Sequence, residues 1–143
     1  MTKGVDYPGI TVVFFCHDGA GKYLVGKRSQ KCRDEHGTWD PGGGGLELGE
    51  TLEMGVTREV EEEYGAKPLV IEYLGHREVH REHLGVKTHW IAFDFKVQVS
   101  PRDVRIMEPD MMDEVRWVHP EEVPQPTHSQ FPKFLQKYRE RFI

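Results

Sequence analysis

The chain has 143 residues, 37% apolar and 30% charged, with a formal net charge of −5, which suits one ordinary domain spanning residues 1–143 and able to bury a core. The longest apolar run, Ile10 to Cys16, is far too short to cross a bilayer, and the opening Met-Thr-Lys-Gly-Val-Asp lacks the basic and apolar parts of a signal peptide. A cytoplasmic protein without membrane contact is the expectation, and the acidic balance without a Lys/Arg cluster excludes a sequence-blind nucleic-acid binder, so no stable nucleic-acid partner is expected.

In chain order, Ile10 to Cys16 is β-rich and reads as a buried strand. The turn residues Asp18-Gly19-Ala20-Gly21 lead into a second strand, Tyr23 to Lys27, so the pair reads as a hairpin. Arg28 to Thr38 is polar and reads as a loop, followed by Pro41 and four glycines, Gly42 to Gly45. The clearest helix covers Thr51 to Tyr64: Leu52, Val56, Val60 and Tyr64 recur every four residues as an apolar stripe, and Gly65 stands where a helix stop prefers glycine. Leu69 to His76, Thr88 to Val99 and Val115 to Val118 read as strands. Phe131, Phe134, Leu135, Tyr138 and Phe142 have helical spacing, with Ser129 as cap and Pro132 tolerable in the first turn. This mixed order predicts an α+β or α/β/α sandwich. Cys16 and Cys32 are too few for a disulfide framework and read as reduced, with Cys16 in the core.

The helix has a second face. Glu59, Glu62 and Glu63 lie at i, i+3 and i+4, about 90° around from the apolar stripe at roughly 100° per residue. Three like charges this close repel, and a hard divalent cation between them relieves the repulsion, since Mg²⁺ or Mn²⁺ takes oxygen ligands. On its own, E-x-x-E-E reads first as a solvated helix face, because surface helices are rich in glutamate.

The surroundings decide between these readings. Outward from the acids stand Gly44, five residues, Glu50, seven residues, Arg58-Glu59-Val60, one residue, Glu62-Glu63, one residue, and Gly65-Ala66. This resembles the Nudix hydrolase signature G-x5-E-x7-R-E-U-x-E-E-x-G-U, with U apolar, at every defined position. Seven of those positions demand a single residue type, and at roughly 6% usage each they match by chance on the order of 10⁻⁹ per window.

The resemblance implies a mixed sheet between helices, a loop–helix–loop signature and a C-terminal helix. It implies a metal-dependent reaction in which water attacks a phosphorus of a nucleoside diphosphate linked to another group. It places Mg²⁺ or Mn²⁺ on Glu59, Glu62 and Glu63, with Arg58 bracing the loop–helix–loop against Glu50 and Glu47 nearby. The family pattern is Pro-Gly-Gly with the second glycine opening the signature. Here Pro41 lies three residues ahead of Gly44, so one residue is inserted, and the metal-facing carbonyl is that of Gly43 or Gly44.

Glu108-Pro109-Asp110 before Val115 to Val118 resembles the segment of triphosphate-cleaving, MutT-like members whose acid reaches back to the metal site. Glu108 is the nominated base, with Glu59 its rival. Arg28 resembles the family's phosphate-contacting arginine, and Trp39 is placed to stack on a base or to join the core. The expected substrate is a nucleoside triphosphate or modified dNTP, cleaved to the monophosphate and pyrophosphate. ADP-ribose, sugar nucleotides and dinucleoside polyphosphates are the alternatives, as is a nucleotide-sensing module without activity. The resemblance also allows a homodimer. Gly19-Ala20-Gly21-Lys22 fails as a phosphate loop because Tyr23 stands where Ser/Thr is needed. His76, His80, His83 and His89 lack a second Cys/His pair at finger spacing, and His80 is expected in a loop, so zinc is disfavoured there.

Overall fold

The computed structural model describes residues 1–142. Strand β1 (Gly9–His17) alternates in two directions: Val12, Phe14 and Cys16 point to one face and Val13 and Phe15 to the other. Along one edge it runs parallel to β6 (Val86–Gln98), in register from Gly9↔Trp90 to His17↔Gln98, and β6 in turn pairs antiparallel with β5 (Val70–His83). The other edge of β1 is shared. Its N-terminal half pairs with β4 (Gly43–Gly45), while its last residue, His17, pairs with Tyr23 of β2 (Tyr23–Arg28). Strand β2 then diverges to pair with β3 (Trp39–Asp40) and β7 (Met112–Val118). A cleft opens where β2 and β4 part company along this edge.

The sheet has seven strands and a helix on each face. Helix α1 (Leu52–Tyr64) lays Val56, Val60 and Tyr64 on the Val12, Phe14 and Cys16 face, with Leu52 at its margin. Helix α2 (Phe131–Lys137) covers the opposite face, where Phe15 sits among Tyr23, Phe131, Phe134 and Phe142 at ring separations of 4.5 to 6.0 Å. Both ends of α1 are chemically determined. The Thr51 hydroxyl accepts the Met54 N–H at 3.1 Å, and Gly65 closes the helix at φ 68°, donating its N–H to the Glu61 carbonyl. No helix among the described residues is long and apolar enough to cross a membrane.

Two local expectations need correction, and one segment given no assignment from the sequence forms a strand. The strands expected at Leu69 to His76 and Thr88 to Val99 extend into one long hairpin, β5–β6, so His80 lies in a strand and not in a loop. Beyond His76 the inner face of β5 carries Arg77, Val79 and Arg81, partly buried, and the outer face Glu78, His80 and Glu82, exposed, so the strand alternates in burial without the run of apolar residues that marks a strand in sequence. The glycine run is itself a strand, because residues without side chains can lie flat against β1. Ser129 does not cap α2: the residue ahead of the helix is Gln130, and the Ser129 hydroxyl and N–H both donate to Glu35. Pro132 does occupy the first turn.

One buried ionic group ties β5, β6 and the C-terminal segment together. Asp94, with no solvent exposure, accepts two hydrogen bonds from Arg77 at 2.7 and 2.9 Å and one from the Tyr138 hydroxyl at 2.6 Å. Removing one partner of a buried pair strands the other's charge. Arg77→Met should therefore cost about 3–5 kcal/mol in urea unfolding. Arg77→Met combined with Asp94→Asn should cost less than the single change, because no uncompensated charge is left behind.

Candidate active site

The loop between β4 and α1 returns the chain so that the helix's acidic face meets the glycine strand. Arg58 makes this turn rigid. Its Nε and Nη2 grip the Glu50 carboxylate at 2.8 and 2.9 Å, Nη2 also donates to the Gly45 carbonyl at 2.9 Å, and Nη1 donates to Glu59 at 2.7 Å. The paired guanidinium pulls the Glu50 carboxyl down to about 2 and is itself held protonated more firmly than usual. Glu47 lies farther out, 3.8 Å from Arg58.

The three helix glutamates do not converge equally. Glu59 and Glu63 face the cleft, whereas Glu62 is about half exposed and sits 3.3 Å from Arg58 Nη1. The reason is angular: at roughly 100° per residue Glu63 lies about 40° to one side of Glu59 and Glu62 about 60° to the other, so the rotation that turns Glu59 and Glu63 inward turns Glu62 toward solvent. Glu59 and Glu63 press against glycine backbone. A Cβ on Gly44 would fall 2.2 Å from the Glu59 carboxyl carbon, and one on Gly42 would fall 2.8 Å from Glu63 Oε2. Glu63 Oε1 receives the Gly43 N–H at 3.4 Å, while Oε2 is buried with no hydrogen-bond partner among the described residues. Burial, then the neighbouring Asp40 charge, pushes the Glu63 carboxyl well above the carboxylate range. Burial also raises Glu59, against the opposing pull of Arg58.

An orphaned, buried carboxylate oxygen beside a second carboxylate and bare glycine backbone suits a hard divalent cation. The glycine register bears on which carbonyl faces it. Gly44 pairs with Val12 and its carbonyl accepts the Thr11 hydroxyl at 2.8 Å. The alternation of an antiparallel ladder turns Gly43 the other way, its N–H toward Glu63.

Two chambers meet at this strand. The acidic one, about 390 Å³, is lined by Glu59, Glu63, Glu108, Asp40 and the end of β2. Glu108 reaches it because its loop is tied down: Ser29 and Cys32 contact the carbonyls of Asp110 and Met111, and the Ser29 N–H donates to Met111 at 3.0 Å. The second chamber, about 410 Å³, is walled by Trp90, Phe131, Phe134, Val79, Arg77 and Arg81. Arg28, Arg33, Asp40, Gly42 and Gly43 line both, so the two form one groove.

Two substrate-side expectations change. Arg28 stands at the junction, but its guanidinium is engaged by Asp34 at 3.0 Å and Asp40 at 3.3 Å. Trp39 is only 3% exposed, packed in the α2-side core with the Arg116 guanidinium over its ring at 4.9 Å, and so is unavailable for stacking. The sequence reading missed Asp40, Arg33, Arg77, Arg81 and His128. Asp40 is raised to about 6, by burial first and against the pull of Arg28. Glu35, at φ 49°, gathers Arg81 at 2.6 Å and His128 at 2.8 Å, joining the Arg28–Thr38 loop to the hairpin and to the segment before α2. Strand alternation through Arg77, Val79 and Arg81 was the available signal for that wall.

A profile described as the NUDIX domain matches residues 7–138. Among solved structures, the MutT NUDIX hydrolase from Burkholderia pseudomallei superposes with a TM-score of 0.78 at 26% identity, covering 92% of this chain and 98% of that one. The MutT protein from Methanosarcina mazei Go1 gives 0.70 at 29% identity, covering 96% and 95%. The NUDIX domain of Shewanella oneidensis NrtR, solved with ADP ribose, gives 0.74 at 23% identity, covering 96% and 90%, a likeness of fold. Comparison with curated proteins returns no match. The matched profile, the α+β sandwich and the fully present signature together make this chain a Nudix hydrolase, a member of the MutT-like part of that family.

Proposed function

We propose that the protein is a Mg²⁺- or Mn²⁺-dependent diphosphatase acting on a nucleoside triphosphate or modified dNTP, releasing the monophosphate and pyrophosphate. The observation that carries this reading is the groove: a chamber of buried carboxylates continuous, across the glycine strand, with a chamber of aromatic and arginine side chains. Phosphoanhydride cleavage needs neutralised phosphate charge and a placed water more than it needs covalent chemistry.

In this reading Glu59, Glu63 and the Gly43 carbonyl hold the cation, with Glu62 at the mouth available to a further ion once released from Arg58. A cation held there would supply charge neutralisation for the phosphate chain and make the attacking water more acidic. Glu108 accepts the proton of the attacking water. It lines the chamber without being committed to another side chain among the described residues, whereas Glu59 is already held by Arg58. Arg33 lines both chambers and makes no ion pair among the described residues, which favours it over Arg28 as the contact for the phosphate chain. The nucleoside occupies the chamber beside the partly exposed Trp90, over a floor of buried Phe131 and Phe134. A nucleotide-sensing module without activity is disfavoured because Glu59, Glu62 and Glu63 are all present.

Four measurements test this reading. Glu63→Gln should cut kcat by about 100-fold or more, the scale of losing one charge-stabilising group, in a Mg²⁺ assay over a nucleotide panel. The same change should raise the stability of the metal-free protein at neutral pH by about 1 kcal/mol or more, since it removes a carboxyl group whose ionised form burial disfavours, and thermal unfolding in EDTA reads this directly. Glu108→Gln should lower kcat about 10²–10⁴-fold while the Mg²⁺ requirement stays unchanged. Gly44→Ala should raise the Mg²⁺ concentration for half-maximal rate at least about 10-fold by displacing Glu59, whereas Gly45→Ala, with nothing within 4 Å of its added Cβ, should be tolerated.

A further inference from the structure

The correction to the β5–β6 hairpin brings together residues that the sequence keeps apart. His80 of β5 pairs directly with His89 of β6, and Glu78 lies two residues before His80, on the same face of its strand. The two imidazoles stack with ring centres 4.2 Å apart and planes 25° apart. One oxygen, Glu78 Oε1, stands 3.3 Å from His89 Nε2 and 3.9 Å from His80 Nε2. Ligand atoms from all three residues lie within 4.8 Å of one another.

Ligands about 2.0–2.1 Å from a tetrahedral zinc ion lie about 3.3 Å apart. With separations from 3.3 Å up to at most 4.8 Å, these atoms are within about 1.5 Å of a coordinating arrangement, a distance that side-chain rotation covers. Glu78 and His80 are exposed and His89 about two-thirds buried, so the side chains can make that adjustment. The backbone need not move, because the ladder continues on both sides of the pair, to His83↔Val86 at the turn and to Val70↔Gln98 at the far end.

The cluster is separate from the groove. Arg77, Val79 and Arg81 point to the groove side of β5, and Glu78 and His80 alternate with them to the other side. The donor set differs too. Glu59 and Glu63 offer only oxygen, which suits Mg²⁺, whereas two imidazole nitrogens and one carboxylate suit Zn²⁺, Co²⁺ or Ni²⁺.

We propose that Glu78, His80 and His89 form a second metal site, selective for zinc-like dications, that clamps β5 to β6 behind the arginine wall of the groove. Water completes the coordination. The site is independent of the reaction assigned above and survives if that assignment fails.

The test uses the full chain without a histidine tag, at pH 8, where imidazole is ordinarily neutral, with millimolar Mg²⁺ present throughout. Zinc is titrated by calorimetry and against a chromophoric chelator, and thermal unfolding is followed with and without zinc. The wild type should bind one equivalent of Zn²⁺ that Mg²⁺ does not displace, and should unfold at a higher temperature when loaded. His80→Ala and His89→Ala should each weaken binding by at least about 10-fold and abolish the thermal shift. Glu59→Gln combined with Glu63→Gln should leave that equivalent in place. The proposal is overturned if the double variant His80→Ala, His89→Ala binds zinc as the wild type does, or if the zinc equivalent disappears with the Glu59 and Glu63 substitutions.

Discussion

A carboxylate oxygen of Glu63 with no hydrogen-bond partner among the described residues, pressed against bare glycine backbone, is the constraint around which the rest of this molecule is arranged. Glu63 is placed on the helix by an apolar stripe that fixes the rotation of α1 over the sheet: once Val56, Val60 and Tyr64 are buried, Glu59 and Glu63 have only the glycine strand to face. The Tyr64 hydroxyl donates to the Pro41 carbonyl at 2.9 Å, which anchors the strand's entrance to the same helix. The helix core and the acidic chamber are therefore two sides of one packing solution.

Arg58 holds this concentration of charge without cancelling it. Its guanidinium spends its donors on Glu50, Gly45 and Glu59, fixing the loop that joins the glycine strand to the helix. It leaves Glu63 with a single long contact to the Gly43 N–H. A fold that wanted only stability would pair both acids; this one pairs Glu59 in part and Glu63 hardly at all. Such local cost, carried by a well-packed surrounding core, is the physical mark of a site built for a ligand.

How much was legible in the sequence depended on where the signal was local. The helix, its glycine stop and the spacing of its acids follow from a 3.6-residue period and from Gly65, and the structure shows those elements, with Thr51, read as the first helical residue, serving as the cap. The Arg58–Glu50 pairing is likewise a matter of one loop. Long-range facts were not readable. Nothing in Trp39 says whether it lines a groove or a core, because both environments take an aromatic; only the arrival of Phe131 and Phe134 from the chain's far end decides it. Arg28 carried a phosphate-contact reading until Asp34 and Asp40 closed on it. The outer half of the β5–β6 hairpin was invisible because its ladder is made of backbone bonds between polar residues, and so the meeting of His80 and His89 was invisible as well. The glycine run hid a strand for the converse reason, having no side chains to alternate.

The central claim is that the orphaned Glu63 oxygen marks a cation site shared with Glu59 and the Gly43 carbonyl. Anomalous scattering at the manganese edge, from crystals grown with Mn²⁺ and a non-hydrolysable nucleoside triphosphate, tests it most directly. The account predicts a peak within bonding distance of both carboxylates and of that carbonyl. A peak that avoids Glu63, or a fully loaded crystal with no peak in the acidic chamber, would contradict it.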